Sequence, residues 1–313
     1  MKPRSIFDAG PVAGVTGFGF LIRNRARQAE ASHPPLGPIV KVGNTHVHYH
    51  RQGKGPVVIL IHGAGGNLRD FTFQLAAKLA ETNDVIAIDR PGHGYTDTLH
   101  NMGESPAEQA DLLHDTAVIL GIRRAIICGY SLGGAVALAW GLQYPEFVAG
   151  LLLISAVTHP WPGSIGLLYQ SAAHPLSGAF MVPALAAFTP NSLVRSTLQS
   201  VFQPKDVPEG YLNYIGAGLS LRAHSIRANA RQVVNLRRHV VEMTPHYDRL
   251  KLPVEILHGT NDRSVYAEIH AERLTETLAQ SVYTVLPGIG HSPHHHSHKE
   301  ILAALARLNA LHV

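Results

Sequence analysis

Short, unbroken apolar runs alternate with helix-length segments along most of this chain, and this alternation constrains the fold more than any other feature. Strands that are buried on both faces of a parallel sheet read as continuous apolar runs. Helices between such strands return the chain by right-handed crossovers. The sequence therefore predicts an α/β fold with a mostly parallel sheet flanked by helices. The predicted strands are 57–61, 84–89, 125–129, 150–155, 253–259 and 282–288, and the predicted helices are 67–81, 105–120, 131–144, 266–280 and 298–310.

The pattern of strands begins at Ile39, with a predicted antiparallel hairpin that turns at Gly43-Asn44. It stops between about residues 157 and 250, a stretch with helical and loop patterns but no strong strand. We interpret this stretch as a helical cap inserted over the sheet. The predicted domains are an N-terminal arm at 1–38, a core at 39–156 and 251–313, and the cap at 157–250.

The composition excludes several classes of protein. With 45% hydrophobic and 15% charged residues, the chain is not intrinsically disordered. The single cysteine, Cys128, excludes a disulfide within the chain and Cys-based zinc sites, and it fits a reducing compartment. The net charge of +4 comes from residues 1–54, which hold eight Lys or Arg and two acids. Because no basic stripe is interleaved with stacking aromatic residues, we expect no nucleic-acid partner.

The N-terminal arm carries an uncharged run at 9–22, followed by Arg23, Arg25 and Arg27. The run contains four glycines, and it is shorter than the roughly 18–20 apolar residues of a membrane-spanning helix. Three interpretations stay open: a flexible or surface-packed arm, weak membrane-surface association through residues 9–27, and a cleaved signal. The expected location is the cytoplasm, with membrane association through the arm as the alternative.

The segment GYSLGG at 129–134 carries the strongest chemical signal. It follows a predicted buried strand and precedes a predicted helix, where a G-x-S-x-G sequence forms a strained turn that exposes the serine hydroxyl above the sheet. Glycines two residues to each side of the serine let this turn pack closely. Ser131 is therefore the predicted nucleophile. The backbone N–H of Leu132, at the start of the helix, is a predicted oxyanion donor.

A serine nucleophile needs a base and an acid that orients the base, and these follow the serine in the order acid, histidine. Asp262 and His291 each follow a predicted strand directly, so both lie at the sheet edge that carries Ser131. We predict that Asp262 orients the imidazole and that His291 is the general base. A helix N-cap or a solvated loop acid is the alternative for Asp262.

The histidine tract His294–His298 competes with His291 for the role of base. The Gly-x-Gly-His sequence that leads into His291 favours that residue. No paired carboxylate motif accompanies the tract, so we interpret it as a histidine-rich loop and helix start and expect no metal.

The loop HGAGG at 62–66 follows the strand 57–61 and lets the backbone approach a substrate closely. We predict that the N–H of Ala64 is the second oxyanion donor. A glycine-rich turn that only connects strand and helix is the alternative.

Together these motifs resemble those of the α/β-hydrolase superfamily, of the serine-esterase type with a helical cap. HGAGG, DRPGHG at 89–94, GYSLGG, HGTND and GIGH occur in the family's order and spacing, and the resemblance covers about residues 39–310. It implies that Ser131, Asp262 and His291 form a catalytic triad, and we expect no cofactor. Relatives with haloalkane or epoxide chemistry carry an aspartate nucleophile, so Ser131 argues against both. The polyhistidine run and the arm depart from the family's pattern.

The predicted cap has two different halves. Residues 147–194 contain no Asp, Glu, Lys or Arg and hold five prolines, which prevent one long helix. An apolar lid over the site fits an ester of a hydrophobic acid or alcohol, while simple packing on the sheet and membrane-surface docking are the alternatives. The second half holds arginines that we interpret as a solvated helix face or as contacts to an anionic group. They are Arg222, Arg227, Arg231, Arg237 and Arg238.

These observations predict a serine hydrolase that cleaves a carboxylic ester of a hydrophobic acid or alcohol through an acyl-enzyme intermediate. A carbon–carbon bond hydrolase of ring-fission diketones and an acyltransferase would use the same triad and are the alternatives. A catalytically silent binding protein with the hydrolase fold is the non-enzyme alternative, against which the complete triad argues. The sequence leaves the oligomeric state open.

Overall fold

Eight strands form one sheet in the computed structural model, which describes residues 11–311 and their side chains from Phe18 onward. The strands are β1 (Ile39–Val42), β2 (Thr45–Gly53), β3 (Val57–Ile61), β4 (Asp84–Ile88), β5 (Ala125–Tyr130), β6 (Val148–Ile154), β7 (Val254–Gly259) and β8 (Ser281–Leu286). Their order in space is β1-β2-β4-β3-β5-β6-β7-β8. β2 pairs antiparallel with β1 and with β4, and all the other neighbours pair parallel. The predicted α/β fold with a mostly parallel sheet is confirmed.

Helices flank the sheet and fill the long connection between β6 and β7. They are α1 (Pro11–Ser32), α2 (Arg69–Thr72), α3 (Leu75–Leu79), α4 (Pro106–Ile119), α5 (Leu132–Gln143), α6 (Leu167–Ala173), α7 (Pro175–Phe188), α8 (Asn191–Phe202), α9 (Tyr211–Tyr214), α10 (Ala217–Ser220), α11 (Ala223–Met243), α12 (Ala271–Thr277), α13 (Pro293–His296) and α14 (His298–Ala310). A 3₁₀ helix at Thr244–Arg249 precedes β7. Helices α6–α11 therefore all belong to the insertion.

The two faces of the sheet carry separate apolar clusters, because successive side chains of a strand point to opposite faces. In β3, Ile59 and Ile61 belong to one cluster, together with Trp140 of α5. Val58 and Leu60 belong to the other cluster, together with apolar side chains of α3 and α14. Burial of both faces explains why the central strands are apolar at every position.

The predicted helix at 67–81 is interrupted, because Gln74 leaves the helical region with φ −147° and ψ −44°. Asn67 accepts the Arg69 N–H through Oδ1 at 2.9 Å, a contact typical of a helix N-cap, and donates through Nδ2 to Ile215 O at 2.9 Å. Apolar side chains are buried on both sides of the break, so periodicity alone could not detect it. The predicted helix at 266–280 is also shorter, because turns occupy its first residues.

Helix α1 lies against the insertion through its described side chains. Phe18 stacks on Phe188 of α7 with ring centroids 5.5 Å apart, and Arg25 donates to Thr189 O at 2.9 Å. The first ten residues, and the side chains of 11–17, lie outside the described part, and most of the predicted uncharged run falls there. Among the residues described, no single helix has both the length and the apolar composition to cross a bilayer. α6 and α7 would meet both criteria only as a pair, and they are bent by 109° relative to each other.

Candidate active site

A sharp turn from β5 into α5 presents Ser131 at the carboxyl edge of the sheet. Ser131 has φ 53° and ψ −119°, a backbone conformation that residues with a side chain rarely adopt. A Cβ on Gly129 would overlap Gly133 O, and a Cβ on Gly133 would overlap Ile61 O. The glycines singled out in the sequence are therefore needed where strand and helix approach each other closely.

The three predicted triad side chains meet at this edge. His291 Nε2 lies 3.0 Å from Ser131 Oγ, and His291 Nδ1 lies 2.7 Å from Asp262 Oδ2. Asp262 follows β7 and His291 follows β8. Because these strands run parallel to β5, both residues lie at the same edge of the sheet as Ser131. The short Nδ1 contact selects the tautomer in which Nδ1–H donates to the carboxylate, which leaves Nε2 free to accept the serine proton.

The carboxylate of Asp262 is held by more partners than the sequence suggested. Its Oδ1 accepts the N–H groups of Ser264 and Val265, both at 2.9 Å. His258, which the sequence analysis did not select, lies with Nε2 3.2 Å from Asp262 Oδ2. Burial alone would raise the pKa of Asp262, but the contacts with His258 and His291 outweigh it and lower that pKa far below its ordinary value. The acid is therefore ionised throughout the neutral range.

The predicted oxyanion donors border a cavity of about 240 Å³ in front of Ser131. Leu132 is the first residue of α5, so its N–H has no partner within the helix. In the described part of the chain, neither this N–H nor that of Ala64 donates a hydrogen bond. His270 also lines the cavity, and burial lowers its pKa to about 3, so its ring is neutral at pH 7. The apolar part of the lining includes Val157, Trp161, Ile165, Val233 and Leu236.

The sequence that forms this site matches a known protein family. A family model described as the alpha/beta hydrolase fold matches residues 56–297. The chain belongs to the α/β-hydrolase fold family. The match spans β3 to α13 and includes the predicted nucleophile, acid and base and the whole insertion.

Two curated relatives of this α/β hydrolase are named for different reactions. A pimeloyl-(acyl-carrier protein) methyl ester esterase of Vibrio vulnificus is 26% identical over 264 residues, covering 80% of this chain and 92% of the relative. A 2-hydroxy-6-oxononadienedioate/2-hydroxy-6-oxononatrienedioate hydrolase of Paraburkholderia phymatum is 26% identical over 262 residues, covering 78% and 84%. The solved structure of a bacterial membrane phospholipase A matches with a TM-score of 0.69 and 23% identity, covering 95% of this chain and 94% of that one. At that identity the likeness shows the fold alone.

Side chains of α11 reach the loop at 62–66, which we call the oxyanion loop after the predicted donor Ala64. The sequence analysis missed this contact. Asn229 Oδ1 accepts the Gly65 N–H at 2.7 Å. The buried guanidinium of Arg90 donates to Gly63 O at 2.9 Å and to Gln232 Oε1 at 2.8 Å. Burial lowers the pKa of Arg90 to about 9, which leaves the group charged at neutral pH. The insertion and the oxyanion loop are therefore joined by hydrogen bonds.

The histidine tract, which we interpreted as a histidine-rich loop and helix start, forms most of α13 and the start of α14. His294 and His295 are buried on α13, with Nε2 atoms 3.2 and 2.9 Å from Asp70 Oδ1. The hydroxyl of Tyr211 donates to the same oxygen at 2.7 Å. The ring of His294 also packs on Tyr130, with centroids 4.2 Å apart. The tract thus anchors the segment that follows the predicted base.

The same three residues have the arrangement that a cation site needs, with donor atoms of Asp70, His294 and His295 within 4.8 Å of one another. Asp70 Oδ1, however, already accepts hydrogen bonds from His295 and Tyr211. Burial lowers the pKa of His295 to about 4, so this ring is neutral and carries the proton that it donates. Oδ1 is therefore satisfied by protein donors, and we assign no ion to this cluster.

The arginines of the second half of the insertion have different environments. Arg222 is buried and pairs with Glu30 of α1 at 2.9 Å, so the predicted solvated face is wrong for this residue. The reason is that α1 covers it, which helical periodicity could not reveal. Arg238 is exposed and pairs with Glu242 one turn later at 3.4 Å, as a solvated face predicts. Arg237 donates to a backbone carbonyl of the insertion at 2.9 Å.

Proposed function

We propose that this hydrolase cleaves a carboxylic ester of a hydrophobic acid or alcohol, with Ser131 as the nucleophile. The observation that carries the proposal is the chain of contacts from Ser131 Oγ through His291 to Asp262, at 3.0 and 2.7 Å, beside an apolar cavity. The methyl ester esterase of Vibrio vulnificus, which aligns over 92% of its own length, supports the choice of an ester bond.

In the proposed reaction, Ser131 Oγ attacks the acyl carbon while its proton moves to His291 Nε2. The carbonyl oxygen becomes an oxyanion and accepts the N–H groups of Ala64 and Leu132. Asp262 stabilises the imidazolium through Nδ1–H. When the tetrahedral intermediate collapses, the bond to the alcohol oxygen breaks and that oxygen takes the proton from Nε2. Water then loses a proton to the same nitrogen and attacks the acyl carbon. The bond from that carbon to Ser131 Oγ breaks, Oγ takes the proton back from Nε2, and the acid is released.

The lining of the cavity indicates the class of ester. None of the described residues that line it is an Asp, Glu, Lys or Arg. An ionised substrate would lose its hydration there without gaining a counter-charge, which is costly. A hydrophobic acyl or alcohol group instead gains free energy on burial, by about 0.8 kcal/mol for each methylene.

Ser131→Ala tests the nucleophile. We expect hydrolysis of p-nitrophenyl esters to fall by about 10⁴-fold or more and labelling by a fluorophosphonate probe to disappear, because the bond-forming oxygen is removed. Ser225→Ala is the matched control, since Ser225 is a buried serine of α11 whose hydroxyl has no partner among the described residues. Turnover or labelling that persists in Ser131→Ala would refute the assignment. Failure of the folded wild-type protein to react with the probe would favour the silent binding protein.

A carbon–carbon bond hydrolase is the second candidate, because the relative from Paraburkholderia phymatum is named for such a substrate and aligns over 84% of its length. The name of that substrate describes a dicarboxylate, and the cavity offers no cation to balance it. Side-by-side kcat/KM values for hydrophobic p-nitrophenyl esters and for vinylogous diketones decide between them. We expect the esters to be preferred.

We also infer the roles of the chain segments. In this proposal, 39–156 and 251–313 form the catalytic core and 157–250 the cap, which is supported by the place of α6–α11 between β6 and β7. The arm at 1–38 would provide weak membrane-surface association through residues 9–27. Cell fractionation of a chain that begins at Ser32 tests this role, and the expected result is a smaller share in the membrane fraction.

A further inference from the structure

Large apolar side chains are exposed along one side of α7. Leu176, Phe180 and Phe188 are 75%, 81% and 65% exposed. They are spaced four and eight residues apart, which places them on one face of the helix. The neighbouring helices α6 and α8 add Leu167 and Leu193, which are 79% and 52% exposed. We call these five side chains the cap face. Exposed apolar groups that cluster in this way mark an interaction surface.

The chain segment that carries the cap face holds no negative charge. No Asp or Glu occurs in residues 147–205, and Arg195 is exposed on α8. On α1, Arg23 and Arg27 are exposed, and Arg25 donates to the backbone at the end of α7. An apolar face with cations at its border matches the acyl region and the anionic headgroups of a lipid surface.

A second cavity extends from Leu193 of the cap face to Gly65 of the oxyanion loop. It encloses about 290 Å³, and its lining includes Leu168 of α6, Leu185 of α7 and Leu193 of α8. Gly65 and Asn229 line the same cavity. Because the Gly65 N–H donates to Asn229 Oδ1 at 2.7 Å, this end of the cavity lies at the oxyanion loop. An apolar chain that enters beside the cap face would therefore be directed toward the loop in front of the nucleophile.

We propose that the cap face docks on an anionic phospholipid surface and that the cavity behind it admits an acyl chain of a lipid ester. This inference rests on the proposed ester hydrolysis and names lipid esters as its substrate class. It differs from the association proposed for residues 9–27, because the contact is made by α6, α7 and α8. Docking would place the opening of the cavity against the bilayer, so that a substrate need not cross water.

Vesicle flotation tests the docking. Vesicles of phosphatidylcholine, with and without phosphatidylglycerol, are mixed with the wild-type protein, with Leu176→Glu/Phe180→Glu, and with Val118→Glu. Val118 is the matched control because it is an apolar residue of α4 that is 53% exposed and lies outside the insertion. We expect the wild type and the control to float with the phosphatidylglycerol vesicles. The double variant should partition at least about tenfold less, because two apolar side chains that docking would bury in the bilayer are replaced by charges.

Arg195→Ala measures the electrostatic part of the docking. It should weaken flotation by about fivefold on vesicles that contain phosphatidylglycerol and leave binding to phosphatidylcholine alone unchanged, because one cation near an anionic surface is removed. If Arg195→Ala weakens flotation equally on both kinds of vesicle, the inference that the surface is anionic is wrong.

Hydrolysis of p-nitrophenyl butyrate, measured on the same samples, separates this inference from the proposed function. We expect the double variant to retain wild-type turnover of this soluble ester and to lose at least about tenfold in the release of fatty acid from vesicles. If the wild type does not float, or if the double variant floats equally well, the docking inference is wrong. A change of mass on light scattering in the double variant would instead show that a second copy of the chain covers the cap face. If the wild type floats but hydrolyses no ester, docking stands and the proposed function fails.

Discussion

Two buried carboxylates, Asp262 and Asp70, each lie within 3.2 Å of two imidazole nitrogens. The cluster at Asp262 reaches the cavity in front of Ser131, whereas the residues of the cluster at Asp70 line neither of the two cavities described above. At Asp262, the ring of His291 extends to Ser131 at the wall of an apolar cavity. At Asp70, aromatic rings surround His295, and its Nδ1 has no partner among the described residues. The residue types are the same in both places. Access to a substrate decides whether such a cluster can transfer a proton or only hold segments together.

The enclosed cluster joins parts of the chain that are far apart. Asp70 belongs to α2, Tyr211 to α9 of the insertion and His295 to α13. The contact between Asp70 and His295 spans 225 positions of sequence. Since α13 begins just after His291, this cluster fixes the segment that carries the predicted base. The difference between the two clusters therefore predicts different responses to substitution.

Asp262→Asn should have the largest effect, at the cluster that faces the cavity. The asparagine oxygen can still accept the N–H groups of Ser264 and Val265, so the thermal midpoint should shift by only a few degrees. Its amide would donate to His291 Nδ1 and select the tautomer that cannot accept a proton from the nucleophile. We expect kcat for ester hydrolysis to fall about 10⁴-fold. Asp70→Asn is the control, and an equal loss of kcat there would show that the clusters do not differ in role.

Asp70→Ala should act on stability instead. The substitution leaves the donors of His295 and Tyr211 buried without an acceptor, so the free energy of unfolding should fall by about 3 kcal/mol. Urea denaturation measures it. Asp248→Ala, at an exposed carboxylate, should change stability by less than about 0.5 kcal/mol. Equal values for the two variants would contradict a structural role for the enclosed cluster.

The enclosed cluster also predicts a dependence of stability on pH. The pKa of His295 is lowered to about 4 by burial, from an ordinary value of 6.5. Between these values the unfolded chain binds a proton that the folded chain excludes, so the free energy of unfolding falls as the pH falls through this window. For Asp70, burial alone would raise the pKa, but the two histidines outweigh it and hold it well below its ordinary value. The stability that ionised Asp70 contributes is therefore lost mainly at pH values below this window.

His295→Gln retains an N–H donor for Asp70 but removes the titrating ring. We expect the slope of unfolding free energy against pH, between pH 6.5 and 4, to decrease by up to about 1.4 kcal/mol per pH unit. Urea unfolding at several pH values in this window measures the slope. A slope equal to that of the wild type would mean that His295 does not contribute to it.

The comparison also shows which parts of the site could be predicted from sequence. Ser131, Asp262 and His291 each follow a strand directly within a short motif, and parallel pairing brings such positions to one edge. The contacts of Asp70 with the histidine tract, and of Arg90 with α11, join residues that no local pattern relates. The same limit applies to the fold, where apolar periodicity predicted one helix at 67–81 and the structure has two, α2 and α3.

The hydrogen bond between Asn229 and Gly65 has a consequence for engineering. A protein designer who exchanges the insertion for that of another hydrolase would also remove the partner of the oxyanion loop and the Gln232 contact of Arg90. Chimeric enzymes built on this scaffold would therefore need to transplant the two amide side chains of α11 along with any new substrate pocket. Changes to the insertion and changes to the loop at 62–66 would therefore have to be designed together.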